Sequence, residues 1–83
     1  MKILYFAWLR ERMGRGEEEL ALPPGVHTVS DLARFLRDRD LSGAAAFATA
    51  SVIRAAVNQD FAAPDAPLQD QDEVAFFPPV TGG

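Results

Sequence analysis

Asp72-Glu73-Val74-Ala75-Phe76-Phe77-Pro78-Pro79-Val80-Thr81-Gly82-Gly83 closes the sequence. Its first half reads as a strand, and its second half cannot belong to one. Asp72 to Phe77 is a short apolar and aromatic run bounded by charge and by proline. Strand side chains alternate, so Val74 and Phe76 share the inward face while Phe77 faces out. Pro78-Pro79 lacks amide donors and stops a hydrogen-bonded ladder. Gly82-Gly83 buries no side chain and loses more backbone entropy on ordering than other residues, so it gives a core nothing. It offers instead a slender peptide, free to adopt positive φ, with an α-carboxylate at its tip. Such a tail fits a slot too narrow for a β-carbon. A frayed terminus is the ordinary alternative. The succession of strand, Pro-Pro, Val-Thr and Gly-Gly points instead to a built projection. The expected division is a folded domain over residues 1-77 and an extended tail over 78-83.

Ile3-Leu4-Tyr5-Phe6-Ala7-Trp8-Leu9 is the other strongly apolar run and reads as the first strand. Arg10 to Gly16 is polar with two glycines and reads as a turn. Glu17 to Leu22 is expected to hairpin back beside the first strand, ended by Pro23-Pro24-Gly25. Thr28 then N-caps a helix, and Asp31 three residues on gives the shape of a capping box. Val29, Leu32, Ala33, Phe35 and Leu36 recur at helical spacing, with Asp31, Arg34, Arg37, Asp38 and Arg39 on the other side. Gly43 is expected to close this region, and Ala44 to Ala50 to add a short helical turn. Val52 to Asn58 reads as the third strand, Asn58-Gln59-Asp60-Phe61 as a turn, and Ala62 to Gln71 as a loop.

The order β-β-α-β-β predicts an α+β domain. The fold expected is a β-grasp (ubiquitin-like) one: a mixed sheet with one main helix packed on one face and a flexible C-terminal Gly-Gly tail. The last strand is expected beside the first, which places the most apolar strands at the centre.

The 83 residues bound this to one small domain, and 48% hydrophobic with 24% charged residues is ordinary globular composition. There is no cysteine, hence no disulfide, no thiolate nucleophile and no Cys-based metal site. His27 is the single histidine; it has no partner for a triad or a metal site and reads as a solvated loop residue. A net charge of −4 argues against nucleic acid, whose phosphates demand a basic surface. It favours a basic protein partner or none. Met1-Lys2 followed by a mixed run with Arg10, Glu11 and Arg12 close behind does not read as a signal peptide. No stretch approaches the ~18 apolar residues that span a bilayer. A cytoplasmic location without membrane contact is expected.

The first strand is apolar on both faces. Ile3, Tyr5, Ala7 and Leu9 point one way, and Leu4, Phe6 and Trp8 the other. Lys2 shares parity with the second set, which turns that set outward. One helix covers only one face of a sheet. Leu4, Phe6, Phe61 and Phe77 are therefore expected to form an open apolar patch near the base of the tail, of the kind that marks a protein interface.

Little side-chain chemistry remains. Glu17-Glu18-Glu19 and Asp70-Asp72-Glu73 read as solvated turns, and no Gly-rich phosphate loop is present. The group with an unusual presentation is the α-carboxylate of Gly83, ionised at an ordinary pKa of ~3.5. A carboxylate is inert to nucleophiles; an acyl-adenylate is not. A partner that adenylates Gly83 could transfer its acyl group to sulfur or to an amine.

The segment Asp72 to Gly83, with Ala55-Ala56-Val57-Asn58-Gln59 upstream and Leu4-Tyr5-Phe6-Ala7 and Arg10-Glu11 at the start, resembles the small subunit of molybdopterin synthase. That group is also called molybdopterin-converting factor subunit 1, within the ubiquitin-like sulfur-carrier family. The resemblance spans the whole chain and implies the β-grasp fold. It implies that Gly83 is adenylated by an E1-like enzyme using ATP and then converted to a thiocarboxylate with sulfur from a donor protein. The tail would insert into the large subunit of a heterotetramer, where sulfur passes to cyclic pyranopterin monophosphate in molybdenum cofactor biosynthesis. The catalytic pocket would lie in the large subunit, so this chain would be no enzyme on its own and would hold no permanent cofactor or metal. Carried over, Gly83 is the residue modified and Gly82 the neck. Phe6, Phe61 and Phe77 are hydrophobic contacts with partners, continued by Pro78, Pro79, Val80 and Thr81. The sulfur carrier of thiamine synthesis shares this logic. A ubiquitin-like modifier ending in an isopeptide bond and a plain interaction domain are the other readings.

Overall fold

Two apolar strands form the centre of the sheet because each supplies a row of core side chains. The computed structural model describes residues 1–79. β1 (Lys2–Tyr5) and β5 (Glu73–Phe77) run parallel, Ile3 opposite Val74 and Tyr5 opposite Phe76. All four of these residues are buried. β2 (Glu17–Glu19) pairs antiparallel with β1. β3 (Arg54–Val57) pairs antiparallel with β5, and β4 (Asp60–Ala62) with β3. The sheet order is β2-β1-β5-β3-β4, so the last strand lies beside the first, as the two apolar runs require.

α2 (Val29–Arg39) turns Val29, Leu32 and Leu36 into the core. Its start is the expected capping box: Thr28 Oγ1 accepts from the Asp31 amide at 3.1 Å, and Asp31 Oδ2 accepts from the Thr28 amide at 3.2 Å. The His27 amide also donates to Asp31, at 3.0 Å. This donor, with the Thr28 groups, holds the Asp31 carboxyl below its ordinary range. Phe47 meets Phe76 edge to face at 5.1 Å between centroids, a preferred aromatic geometry.

An ion-paired staple ties the helix end to the sheet edge. Tyr5 is buried, and its hydroxyl donates to Glu18 Oε2 at 2.7 Å. Arg39 grips both oxygens of the same carboxylate, at 2.8 and 3.0 Å, the bidentate geometry that suits guanidinium. Arg39 donation holds the Glu18 carboxyl low, with help from Tyr5. Burial, then the Glu18 carboxylate, pushes the Tyr5 phenol far up.

The structure departs from the sequence reading in several places. The strand expected over Ile3 to Leu9 stops at Tyr5, and α1 (Trp8–Met13) occupies much of what read as a turn. Ala7, at φ 55°, makes the reversal, and the Leu9 amide donates to the Phe6 carbonyl across it at 3.2 Å. Helix wins because it carries Leu9 and Met13, four apart, into the core together. A short apolar run satisfies either period. Trp8 therefore does not face outward on a strand; it packs partly against the core with the Arg12 guanidinium 4.3 Å above its ring.

Gly43 does not close a helix. α2 ends at Arg39, Asp40 caps α3 (Leu41–Ala46) by accepting from the Gly43 amide at 2.7 Å, and Gly43 is buried inside α3. A β-carbon there would fall on the Leu36 carbonyl oxygen; glycine permits the two helices to touch. α3 starts ahead of the helical turn expected over Ala44 to Ala50, and a 3₁₀ turn over Ala50–Val52 delays the third strand to Arg54. β2 is shorter than expected, while Leu20 and Leu22 still pack against the core. The supposed turn Asn58 to Phe61 is a two-residue hairpin, with Asn58 at φ 52° and Gln59 at φ 72°. Both central residues at positive φ define a type I′ turn, and Phe61 belongs to β4 rather than to a turn.

Candidate functional site

The second face of the sheet is set by the same registers that set the first. Leu4 lies opposite Ala75, Ala75 opposite Ala56, and Ala56 opposite Phe61. These residues alternate with the buried Tyr5, Phe76 and Ala55, so they point away from the helices. Two alanines at the centre of the row make a shallow floor. Phe61 and Phe77 stand at one end of it with ring centroids 5.9 Å apart, tilted by 57°. Phe61 is 88% exposed and Phe6 is 48% exposed. An aromatic ring so open to water on a small domain has no folding purpose, since its burial would stabilise by a few kcal/mol.

The hairpin and the start of β5 are locked to one another. Asn58 donates from Nδ2 to Asp72 at 2.9 Å and accepts from the Glu73 amide at 3.0 Å. Its own amide donates to the Glu73 carbonyl at 2.8 Å. Asn58 thus fixes the start of β5 against the hairpin that presents Phe61. At the other end the Phe6 amide donates to the Phe76 carbonyl at 3.1 Å, continuing the central ladder beyond Tyr5. Phe77 is the final strand residue, opposite Arg54. Pro78 and Pro79 follow outside the ladder, half-buried. The sequence-predicted residues Phe61 and Phe77 are in contact, Leu4 shares their row, and Phe6 sits by the same strand end. Val80, Thr81, Gly82 and Gly83 lie outside the described residues.

The charges near this face form a border. Lys2 pairs with Glu17 at 3.4 Å, and Arg54 flanks Phe77. Among the described residues no group of three or more His, Cys, Asp or Glu side chains is placed to hold a metal ion. The most displaced ionisations, those of Tyr5 and Arg39, are committed to the staple with Glu18. The arrangement is suited to docking. Sequence reasoning missed β4 and the alanine floor. The signal was available in Asn58-Gln59, a turn pair flanked by Ala55-Ala56-Val57 and by Asp60-Phe61-Ala62, which can pair as strands.

A mixed sheet with a parallel central pair, crossed on one face by the main helix and leaving an aromatic face open beside the last strand, defines a ubiquitin-like β-grasp protein. The chain belongs to the ThiS family, which matches residues 3–83. It is 42% identical over 83 residues to the molybdopterin synthase sulfur carrier subunit of Escherichia coli (strain K12), covering 100% of this chain and 99% of that one. Among solved structures, a Pyrococcus furiosus protein assigned as molybdopterin converting factor, subunit 1, superposes with a TM-score of 0.75 at 33% identity, over 95% of each chain. The small archaeal modifier protein 1 of H. volcanii superposes at 0.74 with 26% identity, over 96% of this chain and 97% of that one. Among the described residues no helix is long and apolar enough to cross a membrane.

Proposed function

We propose that this chain is the sulfur-carrier subunit of a molybdopterin synthase, and that Gly83 is the residue on which sulfur rides. An E1-like enzyme would join the Gly83 carboxylate to AMP from ATP, releasing pyrophosphate. A persulfide on a sulfur donor protein would then attack the acyl carbon and expel AMP, and a thiol would cleave the resulting acyl disulfide, leaving the thiocarboxylate and a disulfide. The large subunit would receive the tail and pass its sulfur to cyclic pyranopterin monophosphate. This chain would contribute no acid or base of its own; the pocket would be the partner's, in a cytoplasmic heterotetramer. Full-length similarity to named sulfur-carrier subunits supports the reading. The observation that carries it is the Phe61–Phe77 pair on the helix-free face, beside the strand from which the tail departs. In this reading Phe6, Phe61 and Phe77 dock on each partner in turn while residues 78-83 enter its active site.

The test uses chain prepared chemically with a Gly83 thiocarboxylate, mixed with cyclic pyranopterin monophosphate. Conversion that depends strictly on the large subunit supports the proposal. Conversion by this chain alone overturns the placement of the chemistry in the partner.

Similarity to the archaeal modifier protein gives a second reading its footing: the activated Gly83 would acylate a lysine of another protein. Intact-mass measurement of protein from its host separates the two. A carrier gains the difference of one sulfur for one oxygen, whereas a modifier is recovered as branched conjugates.

A further inference from the structure

The hairpin that carries Phe61 is held more firmly than its packing explains. β4 is the terminal strand of the sheet, three residues long, and pairs with β3. Asn58, Gln59, Asp60 and Phe61 are exposed, and only Ala62 of the hairpin's second strand packs at the margin of the core. A short terminal strand with so little buried surface is the kind of segment that frays. Its share in the ladder is the pairing of Ala55 with Ala62, Ala56 with Phe61 and Val57 with Asp60. A slip of one residue would carry Phe61 to the helix side of the sheet.

Asn58 counters that tendency. Its φ of 52° turns the chain out of β3, a conformation that asparagine tolerates better than most residues. Both polar atoms of its side chain are then committed, Nδ2 to the Asp72 carboxylate and Oδ1 to the Glu73 amide. The anchor is itself fixed. The second Asp72 oxygen accepts from the Gln69 amide at 2.8 Å, and the Asp72 carbonyl accepts from the amide of Lys2, the first residue of β1, at 3.1 Å. One side chain thus ties the open hairpin to the two central strands. The ring it secures is that of Phe61, which reaches Phe77 across β3 with 5.9 Å between centroids. The core gains little from this clamp. A docking surface gains an aromatic pair that is in place before a partner arrives, which spares the cost of ordering it on binding. We infer that Asn58 is a positioning residue for partner docking, acting through Phe61 by holding that ring against Phe77 in the register that binds. The identity of the partner rests on the sulfur-carrier reading; the positioning rests on the hairpin alone.

The test compares Asn58→Gly with the exchange Asn58→Asp/Asp72→Asn, each at a temperature where it is folded. Glycine keeps the positive φ and removes the side-chain bonds. The exchange restores them with donor and acceptor reversed: an amide on β5's side donates to a carboxylate on the turn, and the net charge is unchanged. In the isolated full chain, nuclear Overhauser contacts between the Phe61 and Phe77 rings should fade in Asn58→Gly and return in the exchange. Affinity for the large subunit should fall about three- to tenfold in Asn58→Gly, the range for re-ordering one side chain at an interface, and recover in the exchange. In a Phe61→Ala background, Asn58→Gly should change affinity less than about twofold, because the ring through which it acts is gone. If Asn58→Gly does not fold, Asp72→Ala, which removes the anchor instead, takes its place in each comparison. Undiminished ring contacts in the variant, or an equal loss of affinity with and without Phe61, make Asn58 a turn residue only and overturn the inference. Failure of the unaltered chain to bind the large subunit overturns the sulfur-carrier reading instead, and the ring contacts then decide the role of Asn58.

Discussion

Phe76 and Phe77 are consecutive, and they serve opposite faces of the sheet. Phe76 is 1% exposed and packs edge to face on Phe47, while Phe77 lies against the 88%-exposed Phe61. One strand therefore carries a fold residue and a candidate docking residue side by side.

Phe76→Ala should cost ~3–5 kcal/mol of fold stability, the usual loss for a truncated core phenylalanine. Phe77→Ala should leave the isolated domain nearly as stable. It should weaken association with the large subunit by about 2 kcal/mol or more, roughly 30-fold, as expected of an aromatic anchor. Denaturant melts and binding isotherms on both variants check this. Equal loss of stability would show that the two faces are not distinct.

The Glu18 carboxylate holds Tyr5 and Arg39 together, so Glu18→Gln should destabilise by roughly 1.5–3 kcal/mol, the range for charge-assisted hydrogen bonds. The effect should depend on pH. The folded carboxyl titrates below its unfolded value of about 4.3, so its stabilisation is present above that value. It is lost as pH falls through the lower folded value. Glu18→Gln should flatten the acid limb of a stability-versus-pH curve and leave the shares of Asp31, Asp38 and Asp40, whose carboxyls are also held low. Tyr5 acts at the other end. Its raised pKa stabilises below about 10 and fades at more alkaline pH, a dependence that Tyr5→Phe should remove. An acid limb unchanged by Glu18→Gln would mean that the staple contributes nothing.

Gly43→Ala tests the close approach of α3 to α2. The added β-carbon would overlap a backbone carbonyl oxygen, that of Leu36, which cannot swing aside as a flexible side chain can. The cost should reach about 3 kcal/mol or more, at the upper end for overpacking. That corresponds to a fall in melting temperature on the order of 15 °C for a domain of this size. A change under about 3 °C would show that the helices are free to part.

Gln59→Gly should stabilise. Gln59 sits at φ 72° in a type I′ turn beside Asn58 at φ 52°, where Asn-Gly is preferred. Relief of a strain of ~1–3 kcal/mol outweighs the ~0.5–1 kcal/mol entropic cost of glycine. A rise in the denaturant midpoint with an unchanged m-value is the expected result, and a fall would show that Gln59 is unstrained.

The fold was legible where periodicity and burial agree. Val74 and Phe76 in β5, Ile3 and Tyr5 in β1, and the Thr28–Asp31 cap of α2 each follow from local pattern. Local pattern failed where a distant contact decides. Trp8 to Met13 became helical because Leu9 and Met13 meet the same core, and Gly43 reads as a helix terminator until Leu36 is seen beside it. The docking face was partly legible, since the parity of Leu4 and Phe77 is a strand property. Phe61 joins them only through the Asn58-Gln59 hairpin, whose glycine-free turn hides its type from a reader of sequence.

Removal of Gly82-Gly83 separates folding from function. The described core, from Ile3 to Phe76, is complete without these residues, and a glycine pair brings no side chain to it. The truncated chain should melt within about 1–2 °C of the full one, since terminal residues of this kind commonly add little to stability. It should still bind the large subunit through Phe61 and Phe77, yet carry no sulfur, because the acyl carbon that would bear it is gone. Gly82→Ala is the finer probe. It keeps Gly83 and its carboxylate, so adenylation chemistry remains possible, but it adds a β-carbon to the neck that, under the proposed function, enters the partner. Adenylation or sulfur transfer should fall at least about tenfold, a barrier increase of ~1.4 kcal/mol, with the melting temperature unchanged. Full sulfur transfer by the truncated chain would remove Gly83 from the chemistry, and a large drop in melting temperature would make the tail part of the fold instead.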